Sequence, residues 1–562
     1  MNRARRGWLA LLASACLCSG AAGCHDLFNL DEHPQTFVDP ASYFKTGDQA
    51  IAAVNGIYAP LMTWDDWIDP AWQEVTCEGP DIFCPDWWAF GRLGAKTGTW
   101  FAGRTWTANY QVIRRANDVL GQLDHVSLDP ALEERLRGEA HFLRGYAYFE
   151  LVRRYGAVPL RLTPYVPDGT YGDAPRVPIA QVYPAIVNDL KAATQELPPD
   201  FASHTYSSAD RGRPTAFSAW GLLAKVYLTM AGAELVGTPL AAAKQQYADS
   251  ARLAAQQVMQ SGWITLEPSY MRLFDGQQQI NSNEILFQIG ATHQENTGPE
   301  IATFFNPHDY STAGGGGGGF LSMRQVFYST FDTLDRRIAP GYAIFAGWKE
   351  SSSSADPGTP AWYQGAVPDS IRIAVAADSQ IGWTWTELCE TVGANAYFNR
   401  STRTVVQISP RIYTMKYIDR TALTKSQNET NPIILRYADV LLVFAEAENE
   451  ASGPTAAAYD AINRVRTRSN VPNLTLGLSQ AQFRDSVWLE RRHELYGEFQ
   501  EWFDLKRQGR WLDIMNDRIP AYPGGTAPSA SVCRPRQAYQ MLLPIPDAEI
   551  GANRLMTQNP GY

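Results

Sequence analysis

Apolar residues recur at helical spacing over much of the chain. The clearest run steps by three or four residues from Leu132 to Leu151, so its apolar side chains share one face of a helix. Asp129 and Pro130 suit the N-cap and the first helical position, and Gly156 suits the C-terminal end. This pattern predicts a long amphipathic helix over 130–155 with one buried face.

The same periodicity predicts helices on both sides of this one. They cover 48–58, 107–123, 183–196, 215–230, 241–260, 435–450, 459–465 and 482–507. Pairs of such helices cannot bury their apolar faces alone, so they are expected to stack. We therefore predict a mostly α fold, a tetratricopeptide-like solenoid of helix pairs decorated with an irregular, loop-rich subdomain.

The pattern changes between about 263 and 430, where apolar runs are short and helical spacing is rare. Unbroken glycines at 314–319 and serines at 351–354 favour loops over regular elements. We interpret 263–430 as a loop-rich insertion. It separates an N-terminal helical part, 42–262, from a C-terminal helical part with its tail, 431–562.

The N-terminus has the pattern of an export signal. Three arginines within residues 3–6 precede an apolar run at 8–18, which is too short to span a bilayer. Small residues then lead directly to Cys24, as in a bacterial lipoprotein signal, although Ala21 replaces the usual leucine. We predict a signal peptide over 1–23, an acylated Cys24 and a polar tether over 24–41. Only the lipid anchor would then attach the protein to the membrane. The alternative is a plain secretory signal.

Charge and composition limit the classes of partner that the protein is expected to bind. The formal net charge of −10 argues against nucleic acid and anionic lipid, and the aromatic content of 12% is high. Outside the signal and Cys24, four cysteines remain, at 77, 84, 389 and 533, and their spacing fits no zinc motif. Cys77 and Cys84 form a possible disulfide, with free buried thiols as the alternative. No metal or cofactor is predicted.

Tryptophans concentrate between residues 59 and 106, which we call the tryptophan-rich stretch. It contains seven of the 17 tryptophans, with interspersed aspartates, prolines and glycines that favour a long, ordered loop with short helical pieces. Indole rings stack on the C–H faces of sugars, and carboxylates accept hydrogen bonds from hydroxyls. The candidate ligand-binding residues here are Trp64, Asp65, Asp66, Trp67, Asp86, Trp87, Trp88 and Trp100. The alternative is that these tryptophans seal a loop onto the core.

Several blocks resemble the SusD/RagB family of bacterial outer-membrane nutrient-binding lipoproteins. They are RGEAHFLRGYAYF at 137–149, GAVPL at 156–160, LRYADV at 435–440, AINRVR at 461–466, ERRHEL at 490–495, WFDLKR at 502–507, LPIP at 543–546 and QNPGY at 558–562. Charged residues in these blocks, such as Arg436, Asp439 and Glu494, are interpreted as structural pairs between stacked helices. The resemblance implies a ligand surface built by loops near the early helices and by the insertion, so Trp348 and Trp362 join the candidates.

The resemblance also implies a role. A SusD-like protein captures an oligosaccharide outside the cell and hands it to a SusC-like TonB-dependent transporter barrel in the outer membrane. No catalytic residue is required, and the paired Asp65 and Asp66 are weak glycosidase candidates because adjacent loop carboxylates seldom flank one bond. Two alternatives are a peptide ligand in the same role, and a helical-repeat scaffold that binds only proteins.

Overall fold

The computed structural model describes residues 44–62, 79, 81–83, 100–165, 172–203, 205–207, 210–232, 243–291, 305, 321–323, 325–328, 330–339, 344–348, 396–399, 404–407, 411–414, 416–417, 419, 427–517 and 536–562. Contacts divide the chain into Met1–Lys45 and Thr46–Tyr562, and every element below belongs to the second unit. Its first helices are α1 (Gly47–Met62), α2 (Trp100–Gln122), α3 (Pro130–Tyr155), α4 (Ile179–Glu196), α5 (Ala216–Met230) and α6 (Lys244–Met259). After the short α7 (Gln325–Tyr328) come α8 (Tyr437–Ser452), α9 (Ala456–Arg468), α10 (Gln480–Glu494), α11 (Glu501–Arg507), α12 (Trp511–Asp517) and α13 (Asp547–Ala552).

Helix ends follow local chemistry. The Asp129 side chain accepts hydrogen bonds from the backbone of Ala131 at 3.1 Å and Leu132 at 3.2 Å, which caps α3. Gly156 ends that helix with φ of 73°, a conformation that costs glycine little. At α5, Thr215 and Ser218 form a reciprocal capping box. These ends were predictable because each depends on residues within a few positions of the helix.

The helices form one continuous array. Helices α1 to α6 pack in chain order, each against the next, and α6 then packs against α8, which is followed by α9 and α10. The predicted mostly α fold of stacked helix pairs is thus confirmed. Helices α6 and α8 are therefore neighbours in the array, although the predicted insertion, 263–430, separates them in the sequence.

Within the described residues, eight short strands form three antiparallel sheets. They are β1 (Ile82–Phe83), β2 (Ile285–Gln288), β3 (Ser322–Met323), β4 (Ile344–Trp348), β5 (Ala396–Asn399), β6 (Thr404–Gln407), β7 (Arg411–Thr414) and β8 (Ile433–Arg436). Strands β2 and β8 pair with Ile285 opposite Arg436 and Gln288 opposite Ile433. This ladder joins the two ends of the insertion and so brings α8 back to the array.

Helix α3 differs from its prediction. Instead of one buried face, nearly every residue from 135 to 155 is buried, including Glu139, Arg144, Glu150 and Arg154. The charges are tolerated because they are paired, as when Arg144 donates to both carboxylate oxygens of Asp189 at 2.8 and 2.6 Å. Helix α3 therefore lies in the centre of the array. No helix in the described ranges is long and apolar enough to cross a membrane.

Other predicted boundaries need correction. Residues 433–436 form strand β8, so the helix predicted from 435 begins at Tyr437. Helix α1 continues through Pro60, since Arg115 donates a hydrogen bond to the Gly56 carbonyl that the proline cannot satisfy. Helix α2 begins at Trp100, so both ends of the predicted 59–106 loop are helical. The predicted 482–507 helix is divided into α10 and α11.

Candidate functional site

A four-stranded sheet joins the tryptophan-rich stretch to the insertion. Its strand order is β1-β3-β7-β4, and β1 comes from the stretch whereas the other three strands come from the insertion. Ile82 and Phe83 lie opposite Met323 and Ser322, and Met323 lies opposite Ile412. Backbone pairing therefore brings together the two aromatic-rich segments that the sequence selects as candidate ligand-binding regions.

Side chains of the C-terminal helices hold this sheet in place. Asp81, directly before β1, is 2% exposed and accepts a hydrogen bond from Arg492 Nε at 2.8 Å and another from the Arg492 Nη2. The Arg492 guanidinium also lies over the Phe327 ring, 5.0 Å from its centroid. Arg492, in the last turn of α10, therefore contacts both the tryptophan-rich stretch and the insertion.

The chain between α10 and α11 turns sharply at this point. Gly497 has φ of 73° and Phe499 has φ of 61°, the left-handed region that a phenylalanine rarely adopts. The Phe499 ring packs edge-on against Phe305 at 5.9 Å, and the Gly497 carbonyl accepts a hydrogen bond from the Tyr417 hydroxyl at 2.6 Å. Contacts with the insertion thus hold a backbone conformation that breaks the predicted helix.

The break places Glu501 beside Asp81. The Glu501 carboxyl hydrogen-bonds with both the side chain and the backbone of Asp81. Arg492 Nε lies 3.7 Å from Glu501 Oε1. Burial, and then the negative charge of Asp81, raise the pKa of Glu501 well above its ordinary value. We call Asp81, Arg492 and Glu501 the junction cluster.

An open pocket lies beside the junction cluster. About 430 Å³ of non-atom space, part of it open to solvent, is lined by Asp81, Ile82, Arg491, Arg492, Leu495, Tyr496, Gly497, Phe499, Gln500, Glu501 and Asp504. The buried Tyr496 hydroxyl and the Glu501 Oε1 atom have no hydrogen-bond partner there. The pocket can therefore hold polar groups such as water or a hydroxyl. Among the residues that the structure describes, no three His, Cys, Asp or Glu side chains could hold a metal ion.

A second set of charges, in contrast, is fully paired. Arg436 donates to Glu284 at 2.9 Å, to Glu494 at 2.5 Å and to Glu498 at 2.8 Å, and all four residues are buried. The pKa of Glu494 is held far below its ordinary value by Arg468, Arg436 and Arg337, which outweigh its burial. We call this set the Arg436 cluster. The prediction that these charges are structural is confirmed.

The neighbouring Asp439 and Lys416 extend this pairing. Asp439 accepts hydrogen bonds from Lys225 and Arg491, each at 2.8 Å. Lys416, from the insertion, donates to Glu498 at 2.6 Å, and burial lowers the pKa of Lys416 to about 8. The sequence His493-Glu494 begins like the zinc-binding motif of a metalloprotease. The His493 ring instead stacks on Phe331, with ring centroids 3.9 Å apart, and its Nε2 atom is 2.8 Å from the Thr330 hydroxyl. Burial, followed by nearby arginines, lowers the pKa of His493, so it remains neutral.

The predicted ligand-binding residues themselves are mostly beyond the described ranges. Trp64, Asp65, Asp66, Trp67, Asp86, Trp87, Trp88, Trp362 and the cysteines 24, 77 and 84 lie outside them. Trp100 is the first residue of α2, and Trp348 ends β4 opposite Arg411. Trp106 belongs to the core, because it is 1% exposed and packs edge-on against Tyr155.

Sequence reasoning missed the junction cluster. Asp81 was one of several aspartates in the stretch, and Glu501 was one acid in a predicted helix. The partners Asp81 and Arg492 are 411 residues apart, so no local pattern connects them. One signal was available, because Gly497 interrupts the predicted helix at the position where the chain turns.

Comparisons with known proteins agree on one family. Residues 283–562 match the family model described as the SusD family, and residues 97–228 match one described as "Starch-binding associating with outer membrane". The SusD-like protein P2 of Formosa agariphila is 28% identical over 560 residues, which cover 96% of this chain and 97% of that protein.

Solved structures share the fold. A SusD homolog from Bacteroides thetaiotaomicron has a TM-score of 0.73 and 24% identity, covering 94% of this chain and 100% of the other. Surface glycan-binding protein A from the same organism, in complex with laminarihexaose, has a TM-score of 0.64 and 19% identity, covering 92% and 99%. At these identities the similarity extends to the fold alone.

Proposed function

Because the chain belongs to the SusD/RagB family, we propose that it is a surface glycan-binding lipoprotein of the outer membrane. It captures an oligosaccharide outside the cell and delivers it to a SusC-like TonB-dependent transporter barrel. The anchor is the acylated Cys24. The description of the family model for residues 97–228, which names association with the outer membrane, supports this location.

The observation that carries the proposal is the sheet β1-β3-β7-β4. It joins the stretch with the highest tryptophan density to the aromatic-rich insertion through backbone pairing. A binding surface for a sugar needs several aromatic platforms and polar groups held in fixed relation, and a shared sheet provides such a frame. The laminarihexaose complex of a protein with this fold supports a glycan as the ligand class.

Within this role, the platforms proposed are Trp64, Trp67, Trp87, Trp88, Trp100, Trp348 and Trp362. Asp65, Asp66 and Asp86 accept hydrogen bonds from sugar hydroxyls. Each aromatic contact contributes about 0.5–1.5 kcal/mol, so affinity is expected to be modest and shared among several residues. The protein binds without turnover, since the transporter supplies the energy of uptake.

A panel of glycans and extended peptides, screened by affinity electrophoresis and measured by calorimetry, tests this proposal. We expect binding to at least one oligosaccharide and no release of reducing sugar. Binding of peptides alone would reject the glycan role in favour of the same family role with a peptide ligand. Binding of neither, with capture of proteins only, would favour the helical-repeat scaffold.

Paired substitutions at the proposed platforms test the site itself. Trp67→Ala and Trp88→Ala should each weaken glycan binding by about 2- to 10-fold, the equivalent of one stacking contact. Trp67→Phe and Trp88→Phe are matched controls that keep an aromatic face and should retain most of the affinity. A fall in melting temperature with unchanged affinity would show instead that these tryptophans seal the loop onto the core.

A further inference from the structure

The junction cluster has an unbalanced charge if all its groups are ionised. Asp81 and Glu501 contribute two carboxyl groups, and among the described residues Arg492 is the one cation that pairs with them. Arg492 is engaged with Asp81 through two hydrogen bonds, whereas Glu501 Oε1 accepts none. The other charged groups lining the pocket, Arg491 and Asp504, pair with each other at 2.8 Å.

The contact between the two carboxyl groups requires a proton. Two carboxylates have only acceptor atoms, so the hydrogen bond between Glu501 and Asp81 forms only when one of them is protonated. Both carboxylate oxygens of Asp81 already accept hydrogen bonds from Arg492. Burial and the charge of Asp81 both raise the pKa of Glu501. Glu501 is therefore the donor and Asp81 the acceptor.

Glu501 contacts two residues that directly precede strand β1, Gly79 and Asp81. Asp81 precedes Ile82 directly, and a Cβ added to Gly79 would overlap the Glu501 carboxyl group. The glycine thus allows the backbone to approach Glu501 closely. Gly79 and Asp81 both contact the Glu501 carboxyl group, and these contacts hold this part of the tryptophan-rich stretch against α11.

We propose that the protonated Glu501 carboxyl is a positioning group that fastens strand β1 to the C-terminal helices, and that its deprotonation loosens the strand. The proton is released to solvent, and the hydrogen bond to Asp81 becomes a repulsion between two carboxylates that share one arginine. Deprotonation of Glu501 also lowers glycan affinity, because β1 holds the tryptophan-rich stretch in the shared sheet. This second effect rests on the proposed function.

Hydrogen exchange of the Ile82 and Phe83 amides tests the proposal. Rates are measured for the wild type and Glu501→Gln from pH 5 to 9, and their ratio removes the intrinsic pH dependence of exchange. Glutamine keeps a donor toward Asp81 and cannot ionise. We expect the ratio of wild-type to variant rates to rise by up to about tenfold per pH unit above the ordinary glutamate pKa, and then to level off.

Two controls make the outcome decisive. The amides of β2, which pairs with β8 and not with β1, should respond to pH only through global unfolding, so their ratio should change no more than the urea-derived unfolding free energies of the two proteins do. Asp81→Asn removes the second carboxylate and leaves burial as the main cause that raises the pKa of Glu501, so its exchange should be faster overall with a smaller added pH dependence. A ratio for Ile82 and Phe83 that does not change with pH would overturn the proposal, and so would a pH-dependent rise in Asp81→Asn as large as that of the wild type.

A binding measurement separates this inference from the proposed function. With a glycan identified by the panel, wild-type affinity should fall as the pH rises above the ordinary glutamate pKa, while that of Glu501→Gln stays constant. If no glycan binds, the proposed function fails and the exchange result still stands. If a glycan binds but exchange of β1 is independent of Glu501, only the positioning role fails.

Discussion

Glu494 and Glu501 lie at the two ends of the turn between α10 and α11, and their pKa values are shifted in opposite directions. Both carboxyl groups are removed from water, which by itself disfavours ionisation. In the Arg436 cluster, three arginines surround Glu494 and lower its pKa. In the junction cluster, Asp81 competes for a single arginine, and the pKa of Glu501 rises. Burial raises the pKa of both glutamates, and the local balance of charge therefore decides whether that rise is outweighed, as at Glu494, or reinforced, as at Glu501.

The difference also separates two kinds of contact. The Arg436 cluster joins elements of the helical array and the β2–β8 ladder, where every carboxylate has more than one cation. The junction cluster joins the array to the tryptophan-rich stretch, and one of its atoms, Glu501 Oε1, has no hydrogen-bond partner. We infer that the first cluster serves stability, while the second holds the candidate ligand-binding region in a way that responds to pH.

The largest expected effect comes from breaking the Arg436 cluster. Arg436→Met removes the cation shared by Glu284, Glu494 and Glu498, leaving buried carboxylates with too few partners. We expect a loss of about 3–5 kcal/mol in the free energy of unfolding, measured by urea denaturation. Arg554→Met, at an exposed arginine that pairs with Asp173, is the matched control and should leave stability unchanged. Equal effects of both variants would contradict the structural role of the cluster.

A single substitution made at both glutamates should change stability in opposite directions. Glu494→Gln removes a charge that three arginines need, so we expect a loss of about 2–3 kcal/mol at pH 7. Because the pKa of Glu494 is lowered, its contribution is present above its ordinary pKa and disappears as pH falls through the lowered value. Glu494→Gln should therefore converge with the wild type in strong acid.

Glu501→Gln should instead stabilise the protein as pH rises. Because the pKa of Glu501 is raised, the wild type is most favoured below the ordinary glutamate value and loses stability as pH increases through the raised value. The variant avoids this loss, which amounts to about 1.4 kcal/mol for each pH unit within that window. Urea denaturation from pH 5 to 9 measures it. A destabilised Glu501→Gln at pH 8 would mean that Glu501 is ionised there and paired with Arg492.

The two clusters also show which features a sequence can reveal. The helices and their ends were predictable where the signal is local, as with Asp129 and Gly156 around α3. Arg436 and Glu494 were correctly interpreted as paired structural charges, although Arg436 lies in strand β8 and not in a helix, and their partners Glu284 and Glu498 were not predicted. The neutral state of Glu501 was not predictable, since it depends on a carboxylate 420 positions earlier in the chain. The φ of Phe499 likewise depends on Phe305 and Tyr417 in the insertion.

The smallest effect tests the turn that separates the two clusters. Gly497→Ala places a side chain at φ of 73°, where L residues are strained, although the added Cβ would meet nothing closer than the Phe305 ring at 3.7 Å. Since space is available, the cost is that of the backbone alone, about 1–2 kcal/mol of unfolding free energy. Gly56→Ala is the matched control: it lies inside helix α1, its added Cβ has no atom within 4 Å, and it should stabilise by about 0.5–1 kcal/mol.

Opposite shifts in melting temperature would support a turn that is held in its left-handed conformation by contacts with the insertion. A stabilising Gly497→Ala would instead mean that α10 and α11 continue as one helix, which would remove Glu501 from Asp81.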